Sequence, residues 1–173
     1  MSRIRTLYHP LNHIWLRAKE PLRNQNAGSS SRILELGITE RGLEDIGDVT
    51  SLQRLAAKET KAGTRLKRGD ELLRIHFDGH SITSADELYH TVWETFSDHL
   101  SILSPVSGRT AENESDLNAS LKSLEEDGFD EETVLMDIET TQEEWDDICR
   151  QNQFVDQSQY FKIIEKQPRG AFY

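Results

Sequence analysis

The chain has a single cysteine, Cys149, in 173 residues. No disulfide can form within it, and cysteine-rich zinc sites are excluded. It has no run of about 18 apolar residues, so no membrane insertion is expected. Positive charge is scarce: 20 Lys and Arg stand against 31 Asp and Glu, a formal net charge of −11. That balance speaks against a general nucleic-acid-binding role, so no nucleic acid is expected as a partner. A phosphate-cradling glycine loop is missing, and so is any internal repeat. What remains is a polar, soluble, intracellular type of chain, 35% hydrophobic and 29% charged. Its length suits one domain, or one domain with extensions, and suffices to bury a core.

The charge is unevenly spread. Residues 1–32 are basic: Arg3, Arg5, Arg17, Lys19, Arg23 and Arg32 face only Glu20. Two readings of this segment stay open. It has the Arg-rich, acid-poor, serine-ending composition of a mitochondrial transit peptide. Yet Tyr8–Leu16, YHPLNHIWL, also reads as a first strand, followed by the polar loop RNQNAGSSS at 23–31. Residues 111–147 are strongly acidic, with Lys122 their only base. Such a stretch is a solvated face or a docking surface for a basic partner.

Strand signals dominate the middle. Ile33, Leu34 and Leu36 lead into a helical turn over Thr39–Ile46, with Thr39 as cap. Asp48–Leu55 reads as a strand, Thr64–Leu66 as a short element and Lys67–Asp70 as a tight turn. Elements this short and this closely spaced suggest a small β-barrel or sandwich. Asp78–Gly79 between apolar runs predicts a two-residue hairpin. Ser84 with Glu87 three residues on forms a capping box, which predicts a helix over about 85–96. Leu88, Tyr89, Val92, Trp93 and Phe96 would share one face of it. Leu100–Leu103 reads as a strand and Ser104–Gly108 as a sharp turn. A last strand is expected at Val134–Ile138. A second capping box, Thr141/Glu144, opens a helix carrying Trp145 and Ile148. A final helix over about 157–166 carries Tyr160, Phe161, Ile163 and Ile164, and Pro168 stops it.

The six histidines include the pairs His9/His13 and His76/His80, each spaced i, i+4. On a helix that spacing places two metal ligands side by side, with His90 or His99 as a third. Pro10 argues against a helix at the first pair, and Asp78–Gly79 against one at the second, so no metal site is expected. Ser97, Asp98 and His99 are triad-type residues. Adjacent side chains diverge, whereas a triad converges from separate places in the chain. No catalytic residue is assigned, and no enzyme is expected.

Several motifs together resemble the H protein of the glycine cleavage system. GITERGLEDIGDV at 37–49 resembles that family's segment running from glycine-isoleucine-threonine to glycine-aspartate-valine. KRGD at 67–70 resembles the turn before its lipoyl hairpin, and SPVSG at 104–108 the turn after it. YHPLNHIWL is similar to its opening strand, and the helices after Ile138 to its tail. The resemblance spans most of residues 8–166. Two departures stand out. Between Asp70 and Ser104 the chain is longer than the family by about 18 residues, around His76–Trp93, where a hairpin and a helix are expected. And where the family carries its lipoyl lysine, counting back from Ser104 reaches Ser97. No lysine lies between Lys67 and Lys122. Lipoate is held as an amide on a primary amine at the tip of a tight turn, and a lysine lends its stem to the swinging arm. Serine offers only a hydroxyl on one carbon. Lys58 and Lys61 lie in another turn and are not expected to substitute. Lipoate, and any other cofactor, is therefore expected to be absent.

The resemblance implies a mainly β fold: the barrel-sandwich hybrid of lipoyl and biotinyl domains, with an inserted hairpin-helix and C-terminal helices. Residues 1–32 would be a basic extension or first strand plus loop. Residues 33–140 would form the domain, with the insertion at 76–93, and residues 141–173 a helical tail. A barrel of this kind without its arm is left with docking. The expected function is that of a non-catalytic interaction or structural subunit of a larger protein complex. Leu88, Val92, Trp93 and Phe96 are its candidate partner surface, and the resemblance implies a mitochondrial location. The alternative is a diverged glycine cleavage H protein, serving as regulator or residual carrier.

Overall fold

The computed structural model describes residues 5–19, 31–46, 48–55, 63–85, 91–111 and 134–167, with backbone alone for 54, 80–85 and 91–94. Strand β1 (Thr6–His9) and strand β2 (Ile14–Ala18) form an antiparallel hairpin, with Leu7 opposite Leu16. The segment expected as one strand is therefore two. Pro10 begins the turn between them, where it supplies no ladder N–H. His13 N–H closes the turn on the His9 carbonyl at 2.9 Å, and His9 Nδ1 accepts the Leu11 and Asn12 amides.

Strand β3 (Ser31–Ile38) follows, then helix α1 (Glu40–Ile46), β4 (Asp48–Arg54), β5 (Arg65–Leu66), β6 (Glu71–Ala85), β7 (Thr91–Leu103), β8 (Gly108–Thr110) and β9 (Met136–Thr141). They make two antiparallel sheets, one ordered β1-β2-β3-β9-β8-β5 and the other β4-β6-β7. Neither closes on itself. The expected mainly β fold is borne out at this level.

Alternation builds the core. Leu34, Leu36 and Ile38 of β3 are fully buried, and Met136 and Ile138 of β9 join them. Leu73, Ile75 and Phe77 of β6 and Ile102 of β7 belong to the same cluster. Each such side chain contributes roughly 1.5–3 kcal/mol by leaving water. Leu72 and Leu73 are both buried although adjacent. A register shift between Glu71 and Leu73 breaks the strict alternation there. On the solvent side, Glu35 of β3 pairs with Arg17 and Lys19, and Lys19 also reaches Asp137 of β9 at 3.0 Å. Two of the bases in the basic N-terminal segment thus lace three neighbouring strands together.

The helices follow their caps. Thr39 Oγ1 accepts the Gly42 amide at the start of α1. Thr141 Oγ1 accepts the Glu144 amide at the start of helix α2 (Gln142–Arg150), which buries Trp145 and Ile148. The Glu144 carboxylate accepts instead from Arg68 and from the Ser107 amide, which ties α2 to both motif turns. Asp156 caps helix α3 (Gln157–Ile164). Just before it, Val155 pairs with Tyr8 and covers part of the outer edge of β1.

Two expectations for residues 76–96 are overturned. Asp78–Gly79 is no turn: β6 runs straight through it, with Asp78 opposite Ser97 and Gly79 opposite Phe96. Glycine is placed there by packing. A Cβ on Gly79 would lie 2.5 Å from Phe96 Cζ, so the ring needs the empty space. Nor is Thr91–Phe96, the second half of the expected helix, helical: these residues belong to β7. Thr91, Val92, Trp93, Thr95 and Phe96 are β-branched or aromatic, and pairing along β6 overrides the local helix signal. Ser84 of the capping box lies in β6, and Glu87 falls outside the described residues.

Candidate functional site

The two motif turns flank the stretch where the resemblance places a cofactor. At Lys67–Asp70 the Lys67 amide donates to the Asp70 carboxylate at 2.7 Å, the Asp70 amide to the Lys67 carbonyl at 3.0 Å, and Gly69 takes φ +89°. That value favours glycine. The turn at Ser104 packs directly on it. Gly69 N–H donates to Ser104 O, and Ser104 N–H to Asp70 O, each at 2.8 Å. The two turns pin the base of a long ribbon made of β6 and β7.

β4 covers β6 only as far as Asp78. Beyond it, Gly79–Ala85 pair with Thr91–Phe96 alone among the described strands. Ser97 lies at the root of this two-stranded extension, in mid-strand. Its hydroxyl donates to Asp78 Oδ1 at 2.5 Å across the ladder. His76 and His99 form the next register pair on the same outward face, their ring centroids 5.8 Å apart. With Thr50 and Ser51 of β4 they bound a shallow depression of about 440 Å³.

This depression collects polar groups without a catalytic arrangement. The Ser97 hydroxyl is turned to a carboxylate. His76 Nε2 lies 3.4 Å from Gln53 Oε1, and His99 Nδ1 lies 3.6 Å from Asp98. No group of three or more His, Cys, Asp or Glu suited to a metal ion occurs among the described residues. His9 and His13 are separated in role: His9 Nδ1 serves its own turn, while His13 is buried against Tyr160. The side chain of His80, and all of His90, Lys58 and Lys61, fall outside the described residues. Burial pushes the Cys149 thiol up.

Closer to the base, Glu71 accepts from Arg74 and Ser101. The Arg74 hydrogen bonds, with help from Ser101, hold its carboxyl at about 2.

Of the expected partner surface, Leu88 is outside the described residues, and Val92 and Trp93 are backbone positions in β7. Phe96 is half-buried, edge-on to Phe77 at 6.5 Å and seated on Gly79. The helical spacing that grouped these four on one face does not apply to a strand, whose period is two.

No family model and no curated protein matches the chain. Its geometry is thus the main guide to what it does. No helix among the described residues is long and apolar enough to cross a membrane.

A second cluster escaped the sequence. His13, Thr39 and Tyr160 are buried together, and the Tyr160 hydroxyl lies 2.8 Å from both His13 Nδ1 and Thr39 Oγ1. His13 adopts φ +50°, uncommon for a side chain of its size. Burial lowers its pKa against the upward pull of Asp45, which favours the neutral ring. Asp45 is itself held by Arg41 at 2.8 Å. His13 and Tyr160 stand 147 positions apart, and no local signal joins them.

Proposed function

We propose that this chain is an H-protein-like module without lipoate, which works by contacting protein partners and performs no catalysis. The observation that carries the reading is the setting of Ser97. In the resembling family the acceptor is a lysine at the tip of a tight turn. Here the corresponding residue is a serine in mid-strand, hydrogen-bonded to Asp78, with further register pairs between it and the open end of the ribbon. An arm rooted there would have neither the amine nor the stem. Support for the resemblance itself comes from the KRGD and SPVSG turns, which bind each other through two backbone hydrogen bonds. Two antiparallel sheets around one core are also what a barrel-sandwich hybrid requires.

The β6–β7 ribbon is the natural contact element. Among the described strands, β7 is an edge strand in the order β4-β6-β7. Edge strands recruit extended segments through backbone hydrogen bonds. A mitochondrial assembly is the setting the resemblance implies. Affinity purification of the full chain from mitochondria tests the reading. Stable co-purification of a complex unrelated to glycine cleavage is the expected result. Glycine cleavage enzymes as the partners would favour a diverged H protein acting as regulator. Recovery of the chain alone, at native abundance and low salt, would contradict the interaction role.

A further inference from the structure

A cavity of about 530 Å³ opens between α1 and α3, away from the ribbon. Its size is that of a small-ligand site. Thr39 and Tyr160 line it and are locked to His13 behind it, so this part of the wall is preorganised. Phe161 and Ile164 contribute apolar surface. Phe161 is 41% exposed, one of three large hydrophobic side chains left exposed among the described residues. Its ring offers an apolar face to a ligand body.

The charges agree. Glu40, Glu44 and Glu165 line the cavity, and none of their carboxylates has a hydrogen bond or ion pair among the described residues. Arg41 also lines it, but its guanidinium is answered by the buried Asp45. Three carboxylates beside an exposed aromatic ring leave a field that favours positive charge.

We propose that this cavity binds an organic ammonium group carried on a short apolar body, with the body against Phe161 and Ile164 and the charge among the three glutamates. The site is independent of the lipoate question, because it uses no residue of the ribbon. The same chemistry could arrive as a free amine or as a lysine side chain of another protein.

The test is a titration of the full-length chain followed by amide shifts in two-dimensional NMR. Phenethylamine is the probe and 2-phenylethanol its neutral counterpart. Saturable shifts at Thr39, Phe161 and Ile164 are expected with the amine, and binding about tenfold weaker with the alcohol. A variant carrying Glu40→Gln, Glu44→Gln and Glu165→Gln, all at exposed positions, should lose that difference. Phe161→Ala should weaken the amine while leaving the unfolding midpoint close to that of the parent. An acetylated peptide with one central lysine is the second ligand. Tighter binding than the amine points to a protein source, and weaker binding to a free small molecule; either supports the site. No saturable shift at these residues, equal affinity for amine and alcohol, or an undiminished amine affinity in the triple variant would overturn it.

Discussion

Gly79 gives the sharpest handle on the ribbon. Two mechanisms could make glycine necessary at this position, and they predict different things. In a two-residue turn, alanine would be strained by positive φ, whatever its neighbours. In the strand seen here the cost comes from Phe96, whose Cζ and Cε1 atoms would lie 2.5 and 2.9 Å from the new Cβ. Pushing the ring aside costs about 1–3 kcal/mol, as overpacking does. Replacing a strand glycine by alanine returns about 0.5–1 kcal/mol of backbone entropy. Gly79→Ala alone should therefore destabilise the chain by about 1–2 kcal/mol. In a Phe96→Ala background the obstacle is gone. The same change should then be neutral or stabilising by up to about 1 kcal/mol, a coupling of roughly 2 kcal/mol. Urea denaturation of the four proteins measures it. An equal penalty in both backgrounds would refute the packing argument and restore the turn.

Three further outcomes follow from the same geometry. Ser97→Lys should remain unmodified by a lipoylating enzyme, because the new amine would stand in mid-strand and not at a turn; lipoylation of that variant by mass spectrometry would contradict this. Tyr160→Phe keeps the ring but removes the hydroxyl shared by buried His13 and Thr39, and should cost about 1–3 kcal/mol in chemical denaturation; an unchanged midpoint would mean that the cluster adds nothing. The Glu71 carboxyl is depressed in the folded state from 4.5 to about 2. Its contribution to stability is therefore full above pH 4.5 and fades as pH falls towards 2. The stability of the parent relative to Glu71→Gln, followed by thermal unfolding, should shrink over that window, and a constant difference would rule the ion pair out as the cause.

Local chemistry was legible where local chemistry decides. The Lys67–Asp70 turn and the Thr39 and Thr141 starts of two helices rest on contacts within a few residues. The Tyr8–Leu16 segment was half legible: its strand character was plain, but Pro10 divides it into a hairpin. Where a distant partner decides, the reading failed. Asp78–Gly79 has the composition of a hairpin turn, yet Gly79 accommodates a ring from β7. The Ser84/Glu87 pattern promises a helix, yet Thr91–Phe96 gain more from cross-strand pairing. The His13–Thr39–Tyr160 cluster had no sequence signature, because its hydrogen bonds bridge up to 147 positions. The cavity beside it was invisible for the same reason.

The central claim of the proposed function is that this chain carries no lipoate. Incubating the full-length protein with a lipoylating enzyme, ATP and lipoate, beside a competent acceptor as control, and reading its intact mass tests this most directly. The account predicts an unmodified chain while the control is fully converted. A single lipoyl increment, located on any lysine, would contradict it.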